Sequence, residues 1–363
     1  MKKLIFIAII LITLIGVVAA GCQPSTPSSE PADQGEVIKL RWSHGLPPMT
    51  VFHREVFVPW AEELKERTTA IGKPVEVSFF PAATLAKLFD QYDLLLKGGA
   101  DIVSMWGPQH FPGRMPLAEI LNLPFLFPSA TAAGLTSFEL YETTPELQEQ
   151  YSEAKLLAFQ PPAPYQFVSR TKEIKKLEDF KGLKVMARGG TDSETIKLLG
   201  AVPVTLQMPE VYQSLEKGIV DVGPLNWEGI ANFKWYEVTK YRTQMPKGLM
   251  TSTLTISMNW DTWNSLPPDV QEIIDEMTGR GLTEKCGTVM DNADTSLYEA
   301  KIKPYDEEVG NPGRYMMPDD EFQRWLEAVD SIYKEKIEEL ESKGFPGKAT
   351  FEKLQQLAEK YSN

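Results

Sequence analysis

The sequence has little of what most enzymes and nucleic-acid-binding proteins need. Only three histidines occur in 363 residues, and there is no H-E-x-x-H, G-x-S-x-G, P-loop or dinucleotide-binding motif. Basic residues are outnumbered, with 37 Lys and Arg against 50 Asp and Glu. These absences argue against a nucleic-acid partner and favour a protein that is not an enzyme and holds no metal or cofactor. An extracytoplasmic enzyme stays an alternative, which turnover of a bound acid would support.

Cysteine is equally scarce, with Cys22 and Cys286 as the only two. Cys22 follows MKKLIFIAIILITLIGVVAAG, a basic start, an apolar run and a small-residue end, which is the pattern of a secretory signal. The stretch AAGC resembles a lipobox, in which the cysteine is lipid-modified and becomes the N-terminus. We therefore expect a signal peptide over residues 1–21 and a lipid anchor at Cys22. Cys286, without a disulfide partner, is expected to be buried. The alternative is a transmembrane anchor, although the run is slightly short for a spanning helix.

The stretch after the cysteine, QPSTPSSEPADQGE, is rich in Pro and Ser and has no apolar periodicity. It predicts a flexible linker over residues 22–36 that tethers a globular body to a membrane. Without residues 1–21 the chain loses Lys2 and Lys3, so its formal net charge falls from −13 to about −15. The remaining length suits roughly two domains.

Strand and helix patterns alternate along the body of the chain. Three stretches read as strands separated by helices, namely VIKLRWSHGL, VEVSFFP and ADIVSMWG. The helix between the second and third strands is predicted to run through Leu85, Leu88, Tyr92 and Leu95. The same order returns in LKVMAR, a helix from about Asp192, VPVTLQ, the helix EVYQSLEKG and VDVGPL. Such alternation predicts parallel β-sheets, and thus two α/β halves.

The C-terminal third is predicted to be helical. Pro267 and Pro268 mark a helix start, where a missing N–H costs little, and Gly279 and Gly281 are expected to bend or break this helix. A three- and four-residue spacing of apolar residues predicts a packed helical stripe. Its members are Phe322, Trp325, Leu326, Val329, Ile332, Tyr333, Ile337 and Leu340.

GLKVMARGG, residues 182–190, ends a strand in an arginine and two glycines. The following TDSE fits a capping box, with Thr191 as N-cap and Glu194 reaching back to it. Strand ends of open α/β sheets face the ligand crevice, and a helix start there offers free N–H groups and partial positive charge. Arg188 is therefore predicted to complete an anion-binding corner. The alternative is that Arg188 pairs with a surface carboxylate.

This stretch, together with LGAVPV, MPEVYQSLEKGIVD, FVPWAEEL, PGRMPL, LNLPFLFPS and NSLPPDVQEII, resembles the DctP-like solute receptors of TRAP transporters. The resemblance covers nearly all of the chain after the signal. It implies an α/β, two-domain, periplasmic-binding-protein-like (flytrap) fold with a long hinge helix and C-terminal helices. It also implies a receptor that delivers an organic acid to two membrane subunits, a large and a small one, from the periplasm or another extracytoplasmic face. We expect a monomer.

The expected domains are discontinuous. Domain I is predicted over residues 37–160 and 250–295, and domain II over residues 161–249 and 296–363. A lipid-anchored ligand sensor and an ABC-type receptor are the alternatives to a TRAP receptor.

Two positions depart from the family pattern. Met186 stands where the family usually has an arginine that grips the ligand carboxylate, and Met208 stands in place of an aromatic wall residue. Because residues two apart on a strand face the same side, we expect the anchor to have moved to Arg188. Methionine fills irregular apolar space, which favours an acid with an apolar or aromatic part.

Further ligand contacts are expected where predicted strands begin or end. Glu228 is interpreted as an acceptor for a ligand hydroxyl or amine, or alternatively as a charge at a helix start. The other candidates are His44, Trp106, Gln109, Tyr165, Gln166, Asn226 and Trp227.

Overall fold

The computed structural model describes residues 36–108 and 113–362. The predictions for Cys22, the signal, the linker up to residue 35 and Gln109 lie outside these residues. No helix within the described ranges combines the length and the apolarity needed to cross a membrane.

The first sheet has five strands in the order β2-β1-β3-β10-β4. They are β1 (Ile38–His44), β2 (Val75–Phe80), β3 (Ile102–Trp106), β4 (Lys155–Phe159) and β10 (Thr255–Met258). Strand β1 pairs in parallel with β2 and β3, as the alternating pattern predicts. Strand β10 joins from far along the chain and runs antiparallel between β3 and β4.

The second sheet has six strands in the order β11-β9-β5-β8-β6-β7. They are β5 (Gln166–Ser169), β6 (Lys184–Ala187), β7 (Val202–Thr205), β8 (Val222–Leu225), β9 (Tyr241–Gln244) and β11 (Tyr315–Met316). Strand β6 is parallel to β7 and β8, whereas β5 is antiparallel to β8 and β9. The two predicted α/β halves are therefore present as two separate sheets.

Helices cover the sheets. Within the described residues they are α1 (Val58–Ala70), α2 (Gln91–Leu96), α3 (Ala130–Glu142), α4 (Pro145–Gln150), α5 (Leu177–Phe180), α6 (Gly190–Leu198), α7 (Met208–Glu216), α8 (Trp227–Asn232), α9 (Trp260–Ser265), α10 (Pro268–Glu276), α11 (Gly279–Leu297), α12 (Lys303–Val309), α13 (Asp319–Ala328), α14 (Asp330–Ser342) and α15 (Gly347–Lys360). A π-helical turn, Tyr298–Ile302, joins α11 to α12.

Two connecting segments, residues 160–165 and 245–254, carry the chain from one sheet to the other. They run side by side: Gln160 N–H donates to the Leu254 carbonyl at 2.6 Å, and Tyr165 N–H donates to the Met250 carbonyl at 2.9 Å. The Leu249 N–H returns a bond to the Tyr165 carbonyl at 2.7 Å. Together with α11, here called the hinge helix, they make three links between the sheets.

The hinge helix packs closely on α3, and a glycine permits this approach. A Cβ atom added at Gly287 would lie 2.5 Å from the Cα atom of Thr131. One turn later, the Asp291 carboxylate accepts hydrogen bonds from the N–H groups of Ala130 and Thr131 at 2.7 and 2.9 Å. These N–H groups open α3 and have no partner within the helix. Asp291 therefore fixes the hinge helix to the start of α3.

Several helix predictions are refined by the structure. The helix predicted through Leu85 begins only at Gln91, and Leu85 is exposed in a loop. Gly279 does break the helix that starts after Pro267, because it adopts a positive φ of 67° between α10 and α11. The apolar stripe of the C-terminal third is split between α13 and α14. Its buried members, Phe322, Trp325, Val329, Ile332 and Leu340, belong to the core as predicted.

Candidate functional site

The chain turns sharply between β6 and α6. Gly189 and Gly190 have φ values of 100° and 50°, which glycine adopts without a steric penalty. Helix α6 begins at Gly190 with Gly189 as its N-cap, so the predicted capping box with Thr191 as N-cap is wrong. The Asp192 carboxylate, in the first turn of the helix, instead accepts the backbone N–H of Arg188 at 3.0 Å.

Arg188 lies where the second sheet meets both connecting segments. Its Nε atom pairs with Asp192 Oδ2 at 3.0 Å, and its guanidinium carbon lies 4.3 Å from the ring centre of Tyr165. Its Nη2 atom is 3.5 Å from the sulfur of Met250. The carboxylate that Arg188 meets is thus a buried one, since Asp192 is only 4% exposed, and not a surface group.

The outer end of the guanidinium is poorly satisfied. Arg188 Nη1 is buried and has no hydrogen-bond partner within the described part of the chain, and the Met250 sulfur that Nη2 meets is a weak acceptor. Two adjacent N–H-bearing nitrogens match the two oxygens of a carboxylate. The arrangement can therefore hold an acid between the sheet edge and the connecting segments.

Tyr165 and Gln166 stand beside this corner and are held by the opposite connecting segment. The hydroxyl of Tyr165 is 3.0 Å from Ser252 Oγ, and Gln166 Oε1 accepts the N–H of Met245 at 2.7 Å. Both residues are buried. The Tyr165 ring thus forms a fixed surface under the Arg188 guanidinium. The attraction between this cation and the aromatic face further stabilises the position of the arginine.

The two methionines of the predicted apolar wall differ in exposure. Met186 is fully buried in the core of the second sheet, whereas Met208 is half-buried at the start of α7 and packs against the same core. Met250, which sequence reasoning missed, is the methionine that contacts Arg188.

Three further candidates lie at the start of α8 and contact the region of the hinge helix. The Asn226 amide nitrogen is 3.5 Å from the sulfur of Met290. Trp227 packs edge-on against Tyr298, with ring centres 5.1 Å apart. The backbone N–H of Glu228 donates to Asp294 Oδ1 at 2.8 Å. This part of the predicted site therefore joins the second sheet to the hinge helix.

Glu228 and Asp294 bring two carboxyl groups together. Burial raises the pKa of Glu228, against hydrogen bonds from Asn226, the Val51 backbone and Asn232; the Asn232 bond measures 2.7 Å. Burial, with the negative charge of Glu228 nearby, raises the pKa of Asp294 to about 7. Asp294 had no signal in the sequence, because only the fold brings it to Glu228.

The candidates from the first sheet are deeply buried. His44 is 2.9 Å from His53 through ring nitrogens, and burial together with His53 lowers the pKa of His44 to about 4. Trp106 stacks on Tyr92 with ring centres 4.0 Å apart and packs near Tyr151, within the core. No cluster of three or more His, Cys, Asp or Glu side chains suited to a metal occurs in the described ranges.

A family model described as bacterial extracellular solute-binding protein, family 7 (DctP), matches residues 42–340. The C4-dicarboxylate-binding periplasmic protein DctP of Rhodobacter capsulatus is 23% identical over 91% of this chain and 94% of its own length. Some other curated relatives are matched over less than two thirds of their length, for example 64% and 61%.

Solved structures share the fold. A TRAP solute-binding protein from Rhodoferax ferrireducens T118, in complex with copurified benzoate, is 26% identical with a TM-score of 0.79, over 90% of this chain and 98% of that one. A protein from Bordetella bronchiseptica with bound (R)- and (S)-mandelate is 24% identical with a TM-score of 0.77, over 89% and 99%. These likenesses confirm the two-domain fold expected from the sequence.

Proposed function

Because the chain belongs to family 7 of the bacterial extracellular solute-binding proteins, the DctP family, we propose that it captures an organic acid between its two α/β domains for a TRAP permease. The family is one of periplasmic solute receptors that work with membrane subunits, and the protein is not an enzyme. We further propose that it acts as a monomer. The proposed domains are residues 37–160 with 250–295, and residues 161–249 with 296–363.

The observation that carries the proposal is the under-satisfied guanidinium of Arg188 on the Tyr165 ring. A carboxylate that binds the two Nη atoms would supply the missing acceptor, and such charge-assisted bonds are among the stronger ones in proteins. The tyrosine ring and the sulfur of Met250 offer apolar surface beside it. These features support an acid with an apolar or aromatic part.

Three other predicted contacts belong to the same proposal. Gln166 and Asn226 lie at the strand ends nearest the connecting segments and the hinge helix, and Met208 offers half-buried apolar surface. The benzoate bound by the Rhodoferax ferrireducens relative supports the ligand class.

Arg188→Ala should weaken binding of the acid at least tenfold. A hydrogen bond to a charged group contributes about 1.5–3 kcal/mol, and 1.4 kcal/mol corresponds to tenfold in affinity. Arg188→Lys should recover little, because lysine lacks the planar pair of donors. Titration calorimetry with acids found in a thermal-shift screen measures both.

Arg324→Ala is the matched control, since Arg324 is an exposed arginine of the same half, paired with Glu178 and Glu321 on the surface. It should leave the dissociation constant unchanged. Wild-type affinity in Arg188→Ala would remove the basis of the proposed site.

We also propose that Cys22 is lipid-modified and holds the receptor outside the cytoplasmic membrane, on the basis of AAGC and the Pro/Ser-rich stretch after it. Cys22→Ser should move the protein from the membrane fraction to the soluble fraction. Cys286→Ala, which changes the buried cysteine, should not change the location. A Cys22→Ser protein that stays uncleaved and membrane-bound after a carbonate wash would indicate a transmembrane anchor instead.

A further inference from the structure

The Arg188–Asp192 pair leaves one donor and one acceptor unused. Asp192 Oδ2 accepts from both the backbone N–H and the Nε of Arg188 at 3.0 Å. Asp192 Oδ1, in contrast, is buried and has no hydrogen-bond partner among residues 36–108 and 113–362, and the same is true of Arg188 Nη1. Buried polar atoms in folded proteins are nearly always paired, so two such atoms in one ion pair need an explanation.

The charge of Asp192 makes this more than an accident of packing. An acid held by Arg188 brings a second negative charge close to the Asp192 carboxylate, which disfavours binding. A hydroxyl or N–H group on the ligand that donates to Oδ1 would offset this repulsion and satisfy the buried acceptor. An acid without such a donor leaves Oδ1 both unpaired and close to a like charge.

We infer that Asp192 is a specificity-determining contact, which accepts a hydrogen bond from a donor group close to the ligand carboxylate. The inference rests on the proposed function, because it assumes an acid bound by Arg188. The donor must be close to the carboxylate because Oδ1 belongs to the same carboxylate whose other oxygen bonds Arg188 Nε. The ligand class is therefore acids with a hydroxyl or N–H group beside the carboxylate, such as 2-hydroxy acids.

Matched acid pairs test this selectivity. Mandelate and phenylacetate, lactate and propionate, and malate and succinate each differ only by the hydroxyl, and calorimetry gives their dissociation constants. A binding site that bonds a ligand hydroxyl rejects the analogue that lacks it. The preferred pair is the pair that contains the acid bound most tightly. Within this pair, wild-type protein should bind the hydroxy acid at least about tenfold more tightly than the analogue without the hydroxyl.

Asp192→Asn should reduce this ratio to within about threefold, because the amide is uncharged and a weaker acceptor. The ratio of the two dissociation constants distinguishes a loss of selectivity from a displacement of Arg188, because a displaced arginine would weaken the binding of both acids alike. Glu194→Gln removes an exposed carboxylate from the same helix and should keep the wild-type ratio.

Equal wild-type binding of the preferred pair would overturn the inference and leave the proposed function intact. An unchanged ratio in Asp192→Asn would overturn the role of Asp192. The ratio in wild-type protein tests the inference even if the variant does not fold. If no acid of the panel bound, or if Arg188→Ala bound as wild type does, the proposed function itself would fail, and the inference with it.

Discussion

Asp306→Ala is expected to lower the free energy of unfolding by about 3–5 kcal/mol, because it leaves a buried arginine without its counter-charge. Arg242 on β9 is fully buried, and its Nη2 atom lies 2.8 Å from Asp306 Oδ1 on α12. Burial lowers the pKa of Arg242 and raises the pKa of Asp306. For both groups the effect of desolvation therefore exceeds the attraction between them. Removal of one partner is costly because the other charge stays buried. Urea unfolding followed by circular dichroism measures the effect.

Two variants distinguish the charge from the packing. Asp306→Asn keeps an acceptor for Arg242 and should cost less than Asp306→Ala. The double variant Arg242→Met, Asp306→Leu removes both charges, as apolar replacements of buried ion pairs do, and should recover only part of the loss, because the carbonyls of Tyr236, Thr239 and Tyr241 then lose the donor that Arg242 supplies. A single Asp306→Ala variant as stable as wild type would mean that solvent reaches Arg242. The pair joins the helix after the hinge to the strand that leads into the second connecting segment.

The local patterns of the sequence were sufficient to predict parallel pairing among β1, β2 and β3 and among β6, β7 and β8, but not the parallel pair of β9 and β11. Strands β1, β2 and β3 follow one another with helices between them, so both partners of β1 come from the two strand segments that follow it in the alternating pattern. Strand β10 could not be predicted in the same way. Its partners Trp106 and Phe159 lie about a hundred residues or more before it, and no local spacing records such a pairing. The helix predicted through Leu85 is present but starts later, at Gln91, because apolar spacing alone does not fix where a helix starts.

The same contrast between local patterns and contacts of distant segments explains which parts of the site could be predicted. The position of Arg188 between a strand end and a helix start was predictable because the strand end, the glycines and the helix start are contiguous, whereas its role as the acid anchor stays a prediction. Its partner Asp192 is only four residues away, yet the predicted capping box used Thr191 and Glu194 and gave Asp192 no role. The helix in fact has Gly189, two residues earlier, as its N-cap. Met250 and Ser252 contact Arg188 and Tyr165 only because the two connecting segments run side by side between the sheets. Such contacts depend on topology and leave no mark in either segment alone.

Asp294 gives the prediction with the clearest dependence on pH. Its pKa is about 7 in the folded protein, against an ordinary value of 3.8, with burial as the main cause. The folded protein therefore keeps a proton that the unfolded chain releases, so the stability from this group is complete below about pH 4. It is lost as pH rises toward 7. The loss amounts to at most about 4 kcal/mol, since one unit of pKa is worth about 1.4 kcal/mol.

Neighbouring groups set the controls. Asp294 is faced by the carboxyl of Glu228 on α8, by Asp291 on its own helix and by the amide of Asn226, while Lys301 acts on Glu228. Glu228→Gln should reduce the loss of stability with rising pH without abolishing it, because burial is the larger cause of the raised pKa of Asp294. Asp291→Asn should destabilise the protein instead, since Asp291 accepts the first N–H groups of α3.

Asp294→Asn is thus expected to be about as stable as wild type at pH 4 and more stable at pH 8. The amide keeps an oxygen for the Glu228 N–H but has no proton to lose, and titrating groups that do not interact with Asp294 cancel in the comparison. Urea midpoints of both proteins across this range give the difference. A gap that stays constant from pH 4 to pH 8 would show that Asp294 does not titrate there. A gap that grows with rising pH would show that the carboxyl between α8 and the hinge helix is held protonated by the fold.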